Sequence, residues 1–251
     1  MPKRLAAVAV LLLLAAVAFA WAAMAQDSAD LEETDHPALL HFNKGARLEK
    51  SSQEEEAVKA YQEAIRLKPD YAEAHQRLGL AYARLNQLPE AVKEFKETIR
   101  LQPQWSMAHE NLGVAYLKLG RWQEAQQVFK ETVRLSPENA EARYNLGLAY
   151  GKMERHQEAR EAFAQALRLQ PDLAKAHKNL GMAYVKLERW KEAGESFKEA
   201  VRLKPEDAEA HYGLCAFYVK MGDRESAAKE YKVLQGLDQK LAQKLSDLLF
   251  Q

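Results

Sequence analysis

The sequence predicts an all-α chain of stacked helix pairs. Three observations carry that prediction: a 34-residue period, apolar residues at helical spacing within each period, and glycine or proline where each helix must stop. The period can be read from single residues. Gly79, Gly113, Gly147 and Gly181 are 34 apart, and so are Pro69, Pro103, Pro137, Pro171 and Pro205. Ala57, Ala91, Ala125, Ala159, Ala193 and Ala227 keep the interval, as do Tyr82, Tyr116, Tyr150, Tyr184 and Tyr218. A fixed period over most of a chain signals an array in which each unit buries its apolar face against its neighbours.

The first 25 residues are of another kind. Lys3 and Arg4 precede an uncharged apolar run from Leu5, which ends in the small-x-small "AMA" at 23–25. This pattern predicts a secretory signal peptide, 1–25, cleaved before Gln26. The alternative is an uncleaved anchor through residues 5–25, a run about long enough to cross a bilayer. Cleavage places the protein in the periplasm or outside the cell. Only the uncleaved form brings it to a membrane. Residues 26–37 are acidic without apolar period and predict a disordered lead-in.

Six copies follow in phase, at 38–71, 72–105, 106–139, 140–173, 174–207 and 208–241. Each predicts a first helix over positions 1–14 and a second over about positions 18–31 of the repeat. Gly120 and Gly222 stand where a first helix must stop, and Pro89 stands at the start of a second. The 34-spaced prolines end the second helices, because proline lacks the N–H that the ladder needs. The end copies are irregular: Lys44 replaces leucine in the first, and Cys215 takes the glycine place in the last. Leucines 237, 241, 245, 248 and 249 form one stripe, predicting a capping helix over 237–251 that overlaps the last copy.

Composition narrows the function. Lys plus Arg and Asp plus Glu stand at 36 each, so no global basic field is available to hold nucleic acid. Removing Lys3 and Arg4 leaves 34 basic residues against the 36 acidic. Cys215 is the single cysteine, which excludes an internal disulfide and a lipid-bearing cysteine after the apolar run. There is no phosphate-cradling glycine loop, GxSxG elbow or HExxH helix. The expectation is a protein that is not an enzyme and carries no cofactor or metal.

In the copy from Ala140 to Leu173, Leu146, Gly147, Tyr150, Ala159, Phe163, Ala166 and Pro171 stand where the tetratricopeptide repeat (TPR) has its recurring residues. The chain resembles that family over residues 38–241. The resemblance implies a right-handed α-solenoid of stacked helix-turn-helix repeats whose first helices line a concave groove. It further implies a protein or peptide ligand in that groove.

A helical wheel separates two arcs on each first helix. Held positions 3, 7, 10, 11 and 14 fall within an arc of roughly 100°, and free positions 2, 5, 6, 9, 12 and 13 within about 120° opposite. With the resemblance, the free arc is the candidate binding face. At position 9 it carries Ala46, Leu80, Val114, Leu148, Met182 and Ala216. Position 12 has Glu49, Ala83, Leu117, Gly151, Val185 and Val219, so that, Glu49 apart, an apolar strip results. Position 13 adds a basic row, Lys50, Arg84, Lys118, Lys152, Lys186 and Lys220. Tyr144 at position 5 and Asn111, Asn145 and Asn179 at position 6 complete the candidate site. No copy has asparagine at position 9, so the family's clamp for acidic C-termini is not expected.

His41, His75, His109, His177 and His211 all occupy position 4. Packed first helices stand about 8–10 Å apart, too far for such a row to share a zinc ion bound at about 2 Å. These are expected to be packing histidines, and Cys215 a small buried residue. The predicted function is an exported scaffold in envelope assembly or secretion, and head-to-tail self-assembly through open ends is the alternative.

Overall fold

The computed structural model describes residues 37–249, so the apolar segment 1–25 and residues 26–36 lie outside the described residues. Thirteen α-helices and no strands occur among the described residues. The fold is an all-α TPR solenoid, and by packing it forms two compact units that meet in sequence at Leu101 and Gln102. The first unit holds α1 (Pro37–Lys50), α2 (Glu54–Leu67), α3 (Ala72–Arg84) and α4 (Leu88–Leu101). The second holds α5 (Ser106–Lys118), α6 (Trp122–Leu135), α7 (Ala140–Lys152), α8 (His156–Leu169), α9 (Ala174–Lys186) and α10 (Trp190–Leu203). It continues with α11 (Ala208–Met221), α12 (Arg224–Leu237) and α13 (Gln239–Leu249). Pro37, expected in the lead-in, opens α1, where its missing N–H is harmless.

The glycine of position 8 is explained by one ring. A Cβ on Gly147 would stand 2.6 Å from Cε1 of Phe163, and on Gly79 2.6 Å from Cε1 of Phe95. The aromatic at position 24 of the second helix therefore lies directly on the backbone of the first. Gly45 repeats the arrangement against Tyr61 in the first copy. Phe95, Phe129, Phe163 and Phe197 are almost wholly buried, as are Ala91, Ala125, Ala159 and Ala193 beside them.

The turn inside each pair is a left-handed cap at position 15. Ser52, Asn86, Glu154 and Glu188 adopt φ between 56° and 60°, and Gly120 and Gly222 φ 73° and 77°. The next N–H closes the cap by donating to the position-11 carbonyl, as in Gln87 to Tyr82 (2.8 Å) and Arg155 to Tyr150 (3.0 Å). Residue 16 then accepts from position 20, as in Ala91 to Gln87 at 3.1 Å. Second helices consequently start at position 17, one residue earlier than the sequence suggests.

The position-4 histidines fasten each pair to the preceding proline. Nε2 of His109, His177 and His211 lies 2.9 Å from the carbonyl oxygens of Pro103, Pro171 and Pro205. Arg143 donates likewise to Pro137. His75 bonds the Pro69 carbonyl at 3.1 Å while its Nδ1 stands 2.6 Å from the Glu94 carboxylate. With the Glu94 carboxylate on one ring nitrogen and a carbonyl on the other, the bonds favour the protonated ring. Burial opposes that charge, but the bonds to Glu94 and Pro69 outweigh it and hold the pKa above the ordinary histidine value.

The last pair is adapted to its place. Cys215 is fully buried and donates to the Ala227 carbonyl at 3.2 Å. Burial, with Glu230 nearby, pushes its thiol up to about 11. Phe217 replaces the alanine of position 10, and Gly194 on α10 leaves room for it: a Cβ there would meet the ring at 2.5 Å. Helix α13 covers the end, packing Ala242 and Leu245 with Cys215, Ala227 and Leu234. The leucine stripe is not continuous. Asp238 interrupts it, ending α12 and accepting from Leu241 N–H at 2.9 Å to start α13, which leaves Leu237 exposed.

Candidate protein-binding face

In the second unit the free arc divides by depth. Met182 and Val219 are exposed, at 50% and 37%, whereas Val114, Leu117, Leu148 and Val185 are half-buried. Leu148 packs against the core of the fourth and fifth copies and Val185 against that of the fifth and sixth. Leu148, placed on the free arc by the wheel, therefore also packs on the core, whereas Met182 at the same repeat position stays open. In the first unit Leu80 is half-buried as well.

Tyr144 and Asn145 are buried and do not belong to the open face. The Tyr144 hydroxyl accepts from Asn179 at 3.1 Å, and the Asn179 amide also donates to the Lys175 carbonyl at 2.8 Å. Positions 5 and 6 thus join one first helix to the next. Asn111 is half-buried.

The basic row has two forms. Lys152 sits 5.9 Å above the Trp122 ring and Lys220 5.5 Å above Trp190, each tryptophan standing at position 17 of the preceding pair. Such contacts place an ammonium without neutralising it. Lys118 and Lys186 are exposed, and no ion pair engages any of these four lysines among the described residues. The acids of this face are engaged already. Glu141 pairs with Lys175 (2.6 Å), Glu209 with Lys178 (2.7 Å), and Glu110 accepts from Asn139 (2.8 Å). Burial disfavours charge on Lys178, yet its bonds to Glu209 and Asp207 keep it firmly protonated.

In the first unit Lys50 is exposed, and the other member of the row, Arg84, is consumed internally. Arg84 binds Glu49 and, at 2.8 Å, Glu54, and Arg77 lies 3.6 Å from Glu49. The Tyr61 hydroxyl donates to Glu49 at 2.6 Å. Burial, and then that carboxylate, raise the tyrosine pKa.

A cavity of about 300 Å³ opens on the second unit's first-helix side, lined by Met182, Val185, Trp190, Phe197, Tyr212, Gly213, Ala216 and Leu241, with Lys186 and Glu209. It was not foreseen. The signal lay in Ala216, where the fourth and fifth copies carry Leu148 and Met182. Among the described residues no group of three or more His, Cys, Asp and Glu could hold a metal ion. No helix among them is long and apolar enough to cross a membrane.

Stacked pairs that present an apolar and basic first-helix face define a TPR protein-interaction scaffold. The family profile of the cilia and flagella-associated protein 70 C-terminal domain matches residues 15–245, and the chain belongs to that family of TPR proteins. MamA from Desulfovibrio magneticus RS-1, residue 41 to its end, is 30% identical. That match covers 69% of this chain and 98% of MamA, with a TM-score of 0.66. YrrB, a TPR protein with an unusual peptide-binding site, is 22% identical, with 76% and 99% covered and a TM-score of 0.64. PilW, a widely conserved type IV pilus biogenesis factor, is 17% identical, with 84% and 98% covered and a TM-score of 0.69. These last two likenesses show the fold alone. No curated protein matches the sequence.

Proposed function

We propose that the protein is an exported scaffold that holds a segment of another protein against the first-helix face of its second unit, in envelope assembly or secretion. The cavity beside Gly213 and Ala216 carries this reading, because a concave apolar site with a few convergent polar groups is the usual form of a binding site. The exposed Met182 and Val219 extend it. Export is supported by the apolar run after Lys3 and Arg4 and by the "AMA" at 23–25. The envelope role draws on a fold-neighbour that is a pilus biogenesis factor. Head-to-tail assembly is disfavoured at one end, where α13 already covers the last pair.

Photo-crosslinking in cells tests the face. A crosslinker at Met182 should capture one discrete protein, and one at Lys130 on the second helix α6 should not. Equal capture from both positions rejects the face. Exported protein should begin at Gln26 on N-terminal sequencing, and a Met1 start rejects cleavage.

A further inference from the structure

We infer that the partner segment is acidic and carries one bulky apolar side chain, which enters the cavity beside Gly213 and Ala216 while its carboxylates meet the lysines of position 13. The inference rests on the proposed binding face and adds the partner's chemistry.

Two small residues on α11 line the cavity: Gly213, which seats the Phe197 ring that a Cβ there would meet at 2.5 Å, and the short Ala216. Gly213 stands where the third to fifth copies have asparagine, and Ala216 where they have valine, leucine or methionine. At about 300 Å³ it lies at the lower limit of ligand pockets, which suits a single side chain rather than a cofactor. Its walls include Met182, Val185 and Leu241, so the occupant is apolar.

Charge supplies the second half. Lys118, Lys152, Lys186 and Lys220 give one cation per pair, none of them ion-paired among the described residues, while Glu141 and Glu209 are held by Lys175 and Lys178. The face therefore presents positive potential to an incoming segment, although the whole chain is formally neutral. Lys186 lines the cavity itself, putting a cation beside the anchor. Neighbouring first helices are about 8–10 Å apart, a distance that about three residues of extended chain cover. Acidic residues at every third position can then meet successive lysines.

The test uses three synthetic peptides of about twelve residues: glutamate at every third position around a central phenylalanine, its lysine counterpart, and the glutamate peptide with serine for phenylalanine. Fluorescence anisotropy with the purified protein should show the first binding about tenfold or more tighter than either control. Its advantage over the lysine peptide should shrink as salt rises, because exposed charges are screened. Lys186→Glu should erase the charge preference. Ala216→Met, which installs the fifth copy's residue, should erase the preference for phenylalanine over serine at an unchanged melting temperature.

Equal binding of all three peptides, or binding of none, overturns the inference. So does acidic binding that appears only after deletion of residues 26–36, because that assigns the face to the chain's own acidic segment. If the Met182 crosslinker captures a protein that the acidic peptide does not displace, the inference fails while the binding face stands. If it captures nothing, the face itself fails.

Discussion

The first-helix faces of the two units share a helix frame and differ in chemistry. In the first unit, position 13 contributes the exposed Lys50 and Arg84, and Arg84 is bound by Glu49 and Glu54. In the second, the same position contributes lysines that no carboxylate among the described residues pairs with. The difference originates in Glu49 on α1 and in the second helices. Position 17 is Glu54 in the first copy but Trp122 and Trp190 in the third and fifth, and a tryptophan ring seats a cation without discharging it. Position 24 is Tyr61 in the first copy, and its hydroxyl holds Glu49 where the third to fifth copies have Phe129, Phe163 and Phe197. A binding face on one helix is thus set partly by letters on another.

The largest effect should show what the two units share. Leucine at Gly147 or at Gly45 drives a side chain into Phe163 or Tyr61, each within 2.6 Å of the added Cβ. Both should cost about 3 kcal/mol, at the upper end of overpacking, by denaturant unfolding. A cost at one site and none at the other breaks the common frame. Tyr61→Phe should separate the units. It removes a bond to a charged acceptor and should cost about 1.5–3 kcal/mol, with no counterpart at Phe129, Phe163 or Phe197 in the second unit.

Glu154→Gly should act in the opposite direction. Glu154 sits at φ 60° in the turn between α7 and α8, where glycine avoids a strain of about 1–2 kcal/mol, so the variant should melt higher than the parent. A lower melting temperature rejects strain at that cap.

The smallest effect is a pH dependence. Because His75 has a raised folded pKa, its pair with Glu94 contributes fully below the unfolded histidine value. That contribution is lost as pH rises through the folded value. Glu94→Val, which installs the residue of the third copy, Val128, removes the pair. The parent's stability advantage over this variant should therefore narrow as pH rises from 6, and a widening gap rejects the raised histidine pKa.

The scaffold was legible because its rules are local and repeated. Period, helix pairs, the glycine of position 8 and the caps at Gly120 and Gly222 all follow from spacing. The same cap at Ser52, Glu154 and Glu188 was not legible, since the helix end there imposes a conformation that the residue itself disfavours. The wheel treated each first helix as isolated, and so it placed Tyr144 and Asn145 outside. Their burial comes from the neighbouring copies, through contacts such as the Asn179 bond to Tyr144. The couple of Gly194 and Phe217 was hidden for the same reason: each letter is unremarkable until the other is beside it.

That couple also governs how the chain can lengthen. The ring of Phe217 needs the glycine of the copy immediately before it, and α13 is shaped to the surface of the copy that carries Cys215. A duplicated fourth copy inserted ahead of the fifth leaves both junctions intact. The same segment inserted between Leu203 and Ala208 severs Gly194 from Phe217 and opposes the ring with Arg160, the residue at that place in the fourth copy. An engineered array of this kind is therefore extensible from within and closed at its C-terminal end, with the last two copies travelling as one block.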